Sequence, residues 1–194
     1  MLKGLNKPVI FTGAQLPISA MRSDARENLM TSLDIAISKA NGKPIVPEVC
    51  IFFNHLLLRG NRAKKVQSVH FDAFESENYP PLAESGIVID YNYSAIRPYE
   101  EGKKLRYVNK LDKSVMVLKL FPGITQQVIH HSLSMEGLKG VVLETYGSGN
   151  SPSESWFIKE MEEAVDRGIL ILNVSQCNGG RVIQGRYQTS MDLK

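Results

Sequence analysis

From Val115 onward, short apolar runs alternate with helical patterns, and this alternation constrains the fold more than any other feature. Val115–Phe121, Val141–Thr145 and Ile169–Val174 read as strands, with helices predicted over Thr125–Met135 and from Glu154 to about Arg167. Strands that alternate with helices build a parallel sheet with helices packed on it. Pro122-Gly123 and Gly168 punctuate the joins. Trp156, Phe157, Met161, Ala164 and Val165 are the predicted inner face of the second helix.

The first half reads in the same way. A strand over Pro8–Thr12 leads to a helix from Asp24 to Ala40, whose predicted buried face is Leu29, Leu33, Ala36, Ile37 and Ala40. Asp24 and Glu27 have capping-box spacing, and Gly42 suits a left-handed cap. Val49–Phe53 is the next strand, turned by Asn54-His55 into Leu56-Leu57-Leu58, and Ile87–Tyr91 is one more. The expected class is α/β: a mainly parallel sheet with flanking helices. A charged stretch between the apolar blocks suggests a linker over 95–114, joining domains at 1–94 and 115–194.

Bulk properties narrow the function. A net charge of +3 with interspersed signs gives nucleic acid no surface. No apolar run is long enough for a signal peptide or a membrane span, so a cytoplasmic protein is expected, without nucleic-acid or membrane partners. Cys50 and Cys177 each sit beside apolar residues and are expected to be buried free thiols.

Three places could carry chemistry. Gly13-Ala14 ends a strand with almost no side chain, where a small ligand can approach the backbone. Lys65 follows the glycine turn Arg59-Gly60-Asn61, an arrangement that can deliver a cation into a pocket, although a Lys-Lys pair after a turn is more often a solvated loop. Tyr146-Gly147-Ser148-Gly149-Asn150 joins a strand to a helix, but Pro152 replaces the third glycine of a dinucleotide fingerprint and no acid ends the next strand. His55, His70, His130 and His131 show no metal-ligand spacing. Neither a metal nor a cofactor is expected.

These motifs together resemble the bacterial L-asparaginases, closest to their cytosolic type I branch. The resemblance rests on Phe11–Pro17 with Ser19–Leu29, Gly60–Lys65 with Phe71-Asp72-Ala73-Phe74, Tyr146–Pro152, and Val174–Gly180. It implies a two-domain architecture and hydrolysis of the side-chain amide of L-asparagine. Lys65 would belong to the catalytic relay. The backbone at Ala14 would face the substrate amide, and Asn150 would reach a neighbouring subunit's site, implying a homodimer or homotetramer. Glu144 and Cys177 would fall in the region of the family's regulatory asparagine site, but Glu144 replaces a cation there and would repel the effector carboxylate.

Asparaginases act through two threonines, one in a Thr-Gly-Gly-Thr-Ile type motif that attacks the amide and one in a His-Gly-Thr-Asp motif that works with its aspartate and the lysine as a relay. Neither string occurs here. The resemblance therefore implies an incomplete N-terminal domain, and a chain inactive alone although part of an active enzyme. Alternatives are a non-catalytic amino-acid-binding module and the amidase subunit of a tRNA amidotransferase. A nucleotide-binding α/β protein ranks last.

Overall fold

The computed structural model describes residues 2–183 and divides the chain into two units between Asn109 and Lys110. The first unit holds β1 (Leu2–Lys3), β2 (Val9–Phe11), α1 (Ala25–Ile37), β3 (Lys39–Ala40), β4 (Lys43–Pro44), β5 (Val49–Phe53) and β6 (Leu56–Arg59). It continues through β7 (Lys64–Lys65), β8 (Phe74–Glu75), β9 (Ala83–Ser85), β10 (Ile89–Tyr91) and β11 (Arg106–Tyr107). Its main sheet runs β10-β9-β6-β5-β2.

That sheet is mixed. Only β2 and β5 are parallel, with Val9 opposite Val49 and Phe11 opposite Ile51. The cause is the hairpin at Asn54-His55: both residues have positive φ, 45° and 72°, which suits a two-residue turn and sends β6 back antiparallel. The core joins Ile35, Val46, Cys50, Phe52, Leu57, Leu82, Ala83, Ala95 and Ile96.

Four local expectations are corrected here. Helix α1 ends at Ile37, and Asn41-Gly42 instead forms the positive-φ turn between β3 and β4. Its buried side is Asn28, Ser32 and Ile35, whereas Leu29, Leu33 and Ile37 are 47%, 51% and 73% exposed. The side chain of Asp24 makes no helix-capping bond. Part of the expected linker is packed: Ala95 and Ile96 are core residues, the Arg97 N–H donates to Glu48, and β11 pairs with β1.

The second unit holds β12 (Val115–Lys119), α2 (Gln126–Leu133), β13 (Gly140–Thr145), α3 (Ser155–Asp166) and β14 (Leu170–Ser175). These are the predicted elements within two residues at each end, and the sheet β12-β13-β14 is parallel throughout. Thr125 caps α2 by accepting the Val128 N–H. Both helices cover one face of the sheet, burying Leu118, Val141 and Leu143 with Ile129, Leu133, Phe157, Met161 and Ala164. Val165, expected on this inner face, is instead 55% exposed, while α3 turns Glu160 inward to meet Gln126 and His130 of α2. The other face leaves Val115, Val117, Leu170 and Leu172 exposed. Among the described residues, no helix is long and apolar enough to cross a membrane.

Candidate functional site

In the first unit the site forms where β2 ends. The Thr12 hydroxyl donates to the Phe52 carbonyl at 2.9 Å, tying β2 to β5. Asn28, buried on α1, clamps the turn beyond that strand. Its Nδ2 donates to the Gly13 carbonyl at 2.9 Å and to Asp24 at 3.1 Å, while its Oδ1 accepts the Asn54 N–H at 3.2 Å. Asp24 accepts the backbone N–H groups of Gln15 and Leu16. The Gly13–Leu16 turn is thus held by polar side chains, with Ala14 exposed at its tip.

Lys65 lies on β7 opposite Phe74 of β8. Its Nζ is 3.4 Å from Oε1 of Gln15 and 5.9 Å from the centre of the Phe74 ring, which packs 5.2 Å from Phe53. The structure therefore brings Lys65 beside the Ala14–Gln15 turn. Gly60 permits this path: its N–H donates to the Val49 carbonyl at 2.9 Å, and a Cβ there would lie 3.0 Å from that oxygen. Before it, Arg59 forms a two-pronged pair with buried Glu48 at 2.6 and 3.0 Å and stacks over Tyr79 at 4.2 Å.

In the second unit, Asn150 closes the turn after β13. Its N–H donates to the Tyr146 carbonyl, and its carbonyl accepts the Tyr146 N–H, both at 2.9 Å. Gly149 has φ of 116°, and a Cβ there would come within 2.7 Å of Val182, so glycine is required. Glu144 faces Lys119, Oε2 to Nζ 3.8 Å. Gln176 gathers this sheet end by donating to the Leu120 and Glu144 carbonyls at 2.6 and 2.9 Å. Cys177 follows and is exposed, correcting its expected burial. The cause is its place beyond β14, in a turn where its N–H donates to the Ser175 hydroxyl at 2.9 Å. No cluster of three or more metal-ligating side chains occurs among the described residues.

Gln15, Asn28 and Glu48 are the residues that motif reading alone left without a role. Asn28 carried a usable signal, because a polar residue occurs at helical spacing with Ser32 and Ile35 on one face.

Residues 1–97 match the family model described as asparaginase, N-terminal, and residues 114–194 match the glutaminase/asparaginase C-terminal domain. The whole chain is 40% identical to L-asparaginase 1 of Escherichia coli, covering 55% of it. Over 94% of the chain, identity to the 60 kDa lysophospholipase of Mus musculus is 41%, covering 31% of that protein. A glutamyl-tRNA(Gln) amidotransferase subunit of Pyrococcus furiosus is 33% identical over the whole chain, which covers 44% of it. The structure of L-asparaginase I from Vibrio cholerae superimposes with a TM-score of 0.83 at 35% identity, over 95% of this chain and 54% of that one. The chain thus spans about half the length, or less, of the curated relatives it matches.

Proposed function

The chain belongs to the asparaginase family, and on that premise we propose that it supplies the amide-binding turn and relay lysine of an L-asparagine amidohydrolase. The observation that carries this reading is the approach of Lys65 to the Ala14–Gln15 turn. A carboxamide lying along that turn would have the lysine beside it. A threonine hydroxyl attacks the side-chain amide carbon, ammonia leaves, and water hydrolyses the resulting ester to give aspartate. Lys65 serves the relay that takes and returns the hydroxyl proton.

The attacking threonine comes from outside these 194 residues, since neither threonine motif occurs among them. Asn150 completes a neighbouring subunit's site in a homodimer or homotetramer. The enzyme works in the cytoplasm without metal or cofactor. Glu144 stands where the family's regulatory site carries a cation, and although it faces Lys119 at 3.8 Å its own carboxylate would repel that of an asparagine effector.

The test is ammonia release from L-asparagine by the 194-residue chain, alone and with a polypeptide carrying the family's two threonine motifs supplied in trans. Release only in the second case, abolished by Lys65→Ala, is expected. Release that survives Lys65→Ala would overturn the reading. The similarity to a tRNA amidotransferase component favours a second reading, amide hydrolysis in the service of tRNA amidation. It ranks lower because the net charge is only +3, with basic and acidic residues interspersed along the sequence.

A further inference from the structure

We infer that Gln15 is a positioning residue: its side-chain amide holds the ammonium of Lys65 against the turn that carries Ala14. The inference rests on the asparaginase reading of Lys65. Oε1 of Gln15 accepts from Lys65 Nζ at 3.4 Å, and Nε2 of the same amide donates to the His70 carbonyl at 2.7 Å. An ammonium can only donate and a carbonyl can only accept, so the two partners fix which way the amide faces. The backbone of Gln15 is fixed as well, its N–H held between both oxygens of Asp24 at 3.0 Å. One residue therefore links the turn, the lysine and the chain near His70.

Lys65 needs such a guide. Its strand is two residues long, its side chain has four rotatable bonds, and no carboxylate pairs with it among the described residues. A neutral acceptor orients the ammonium without adding the charge that would hold its proton. A glutamate in the same place would orient it too, but would bind the proton more tightly.

The experiment is acetylation of the 194-residue chain by acetic anhydride, with peptide mapping of Lys65 against Lys64 as the internal standard, in Gln15→Met and Gln15→Glu. Neither substitution touches the backbone N–H that Asp24 holds. The Lys65-to-Lys64 ratio should rise about threefold in Gln15→Met, as expected for loss of one modest hydrogen bond. It should fall below wild type in Gln15→Glu. A role confined to folding would move both variants in the same direction. A ratio unchanged in both variants, or shifted alike in both, would overturn the inference.

The ammonia assay in trans separates this from the parent reading. Gln15→Met should lower kcat several-fold at nearly constant KM, with Gln15→Glu failing to restore it. If Lys65→Ala keeps full activity while the acetylation ratio still follows Gln15, the amide bridge stands and the asparaginase reading falls. If Lys65→Ala is inactive and the ratio ignores Gln15, the asparaginase reading stands and the positioning role falls.

Discussion

Both carboxylate oxygens of Asp24 lie 3.0 Å from the backbone nitrogen of Gln15, and one of them is 3.1 Å from that of Leu16. An acid at the start of a helix ordinarily turns inward to cap it. Here it turns back across nine residues and pins the turn. Hydrogen bonds to a charged acceptor are the stronger kind, so this carboxylate replaces the ladder that the turn lacks.

Asp24→Ala should therefore loosen the turn while leaving α1 in place. The expected cost is about 1–3 kcal/mol, because two backbone donors lose their acceptor. Amide hydrogen exchange at Gln15 and Leu16 reads this locally. Exchange should quicken at those two amides and not at Ile35, in the interior of α1. Uniform quickening through α1 would show that Asp24 works chiefly as a helix cap.

Glu48 and Arg59 make a different kind of pair. Their side chains are only 3% and 11% exposed, and Glu48 also accepts the Arg97 N–H at 2.6 Å. Removing one member strands a buried charge, at a cost of about 3–5 kcal/mol. Glu48→Leu should cost more than Arg59→Met, because it also orphans the Arg97 N–H. The double variant should cost less than the sum of the two. Urea unfolding of the four proteins closes this cycle, and strict additivity would remove the pair from the account of stability.

How much of this was legible in the sequence depends on what each segment buries. β5 could be read to the residue because its five consecutive side chains are all apolar and each is buried or half-buried. The βαβαβ series of the second unit was equally plain, since its strands and helices bury apolar residues at their own periods. The face of α1 was not. Leu29, Leu33 and Ile37 have good helical spacing, yet the helix turns Asn28 inward because that amide satisfies Gly13, Asp24 and Asn54 at once. Hydrophobic periodicity does not count such bonds. β7 and β8, two residues each, are too short to show any period, so the glycine turn could nominate Lys65 but only the resemblance favoured it over a solvated loop.

The two thiols should separate cleanly. Burial, reinforced by the nearby Glu48 carboxylate, pushes Cys50 up to about 12, whereas Cys177 is exposed. The thiolate is the reactive form. Titration with a disulfide reagent at mildly alkaline pH should find one reactive thiol in the native protein and two after unfolding. Cys177→Ser should abolish the native signal. Rapid native labelling at Cys50 would mean that the first core opens readily.

The second unit carries its own pH dependence in Glu160. Burial opposes ionisation of this carboxyl. Gln126 at 3.1 Å and His130 at 3.0 Å nevertheless donate to it, and with Arg167 they hold it below its ordinary value of 4.5. A carboxyl that is harder to protonate when folded stabilises the fold above its unfolded pKa, and that contribution is lost as pH falls through the folded value. The bonds join α2 to α3, so their loss should loosen the packing of Ile129 and Leu133 against Phe157 and Met161. Stability of the wild-type chain should therefore decline as the medium is acidified below about pH 4.5. Glu160→Gln should be less stable at neutral pH and show a shallower decline, since an amide keeps the shape without the titrating charge. Urea unfolding followed at Trp156, which adjoins this core, measures both slopes. Equal slopes in the two proteins would assign the acid sensitivity to other carboxylates.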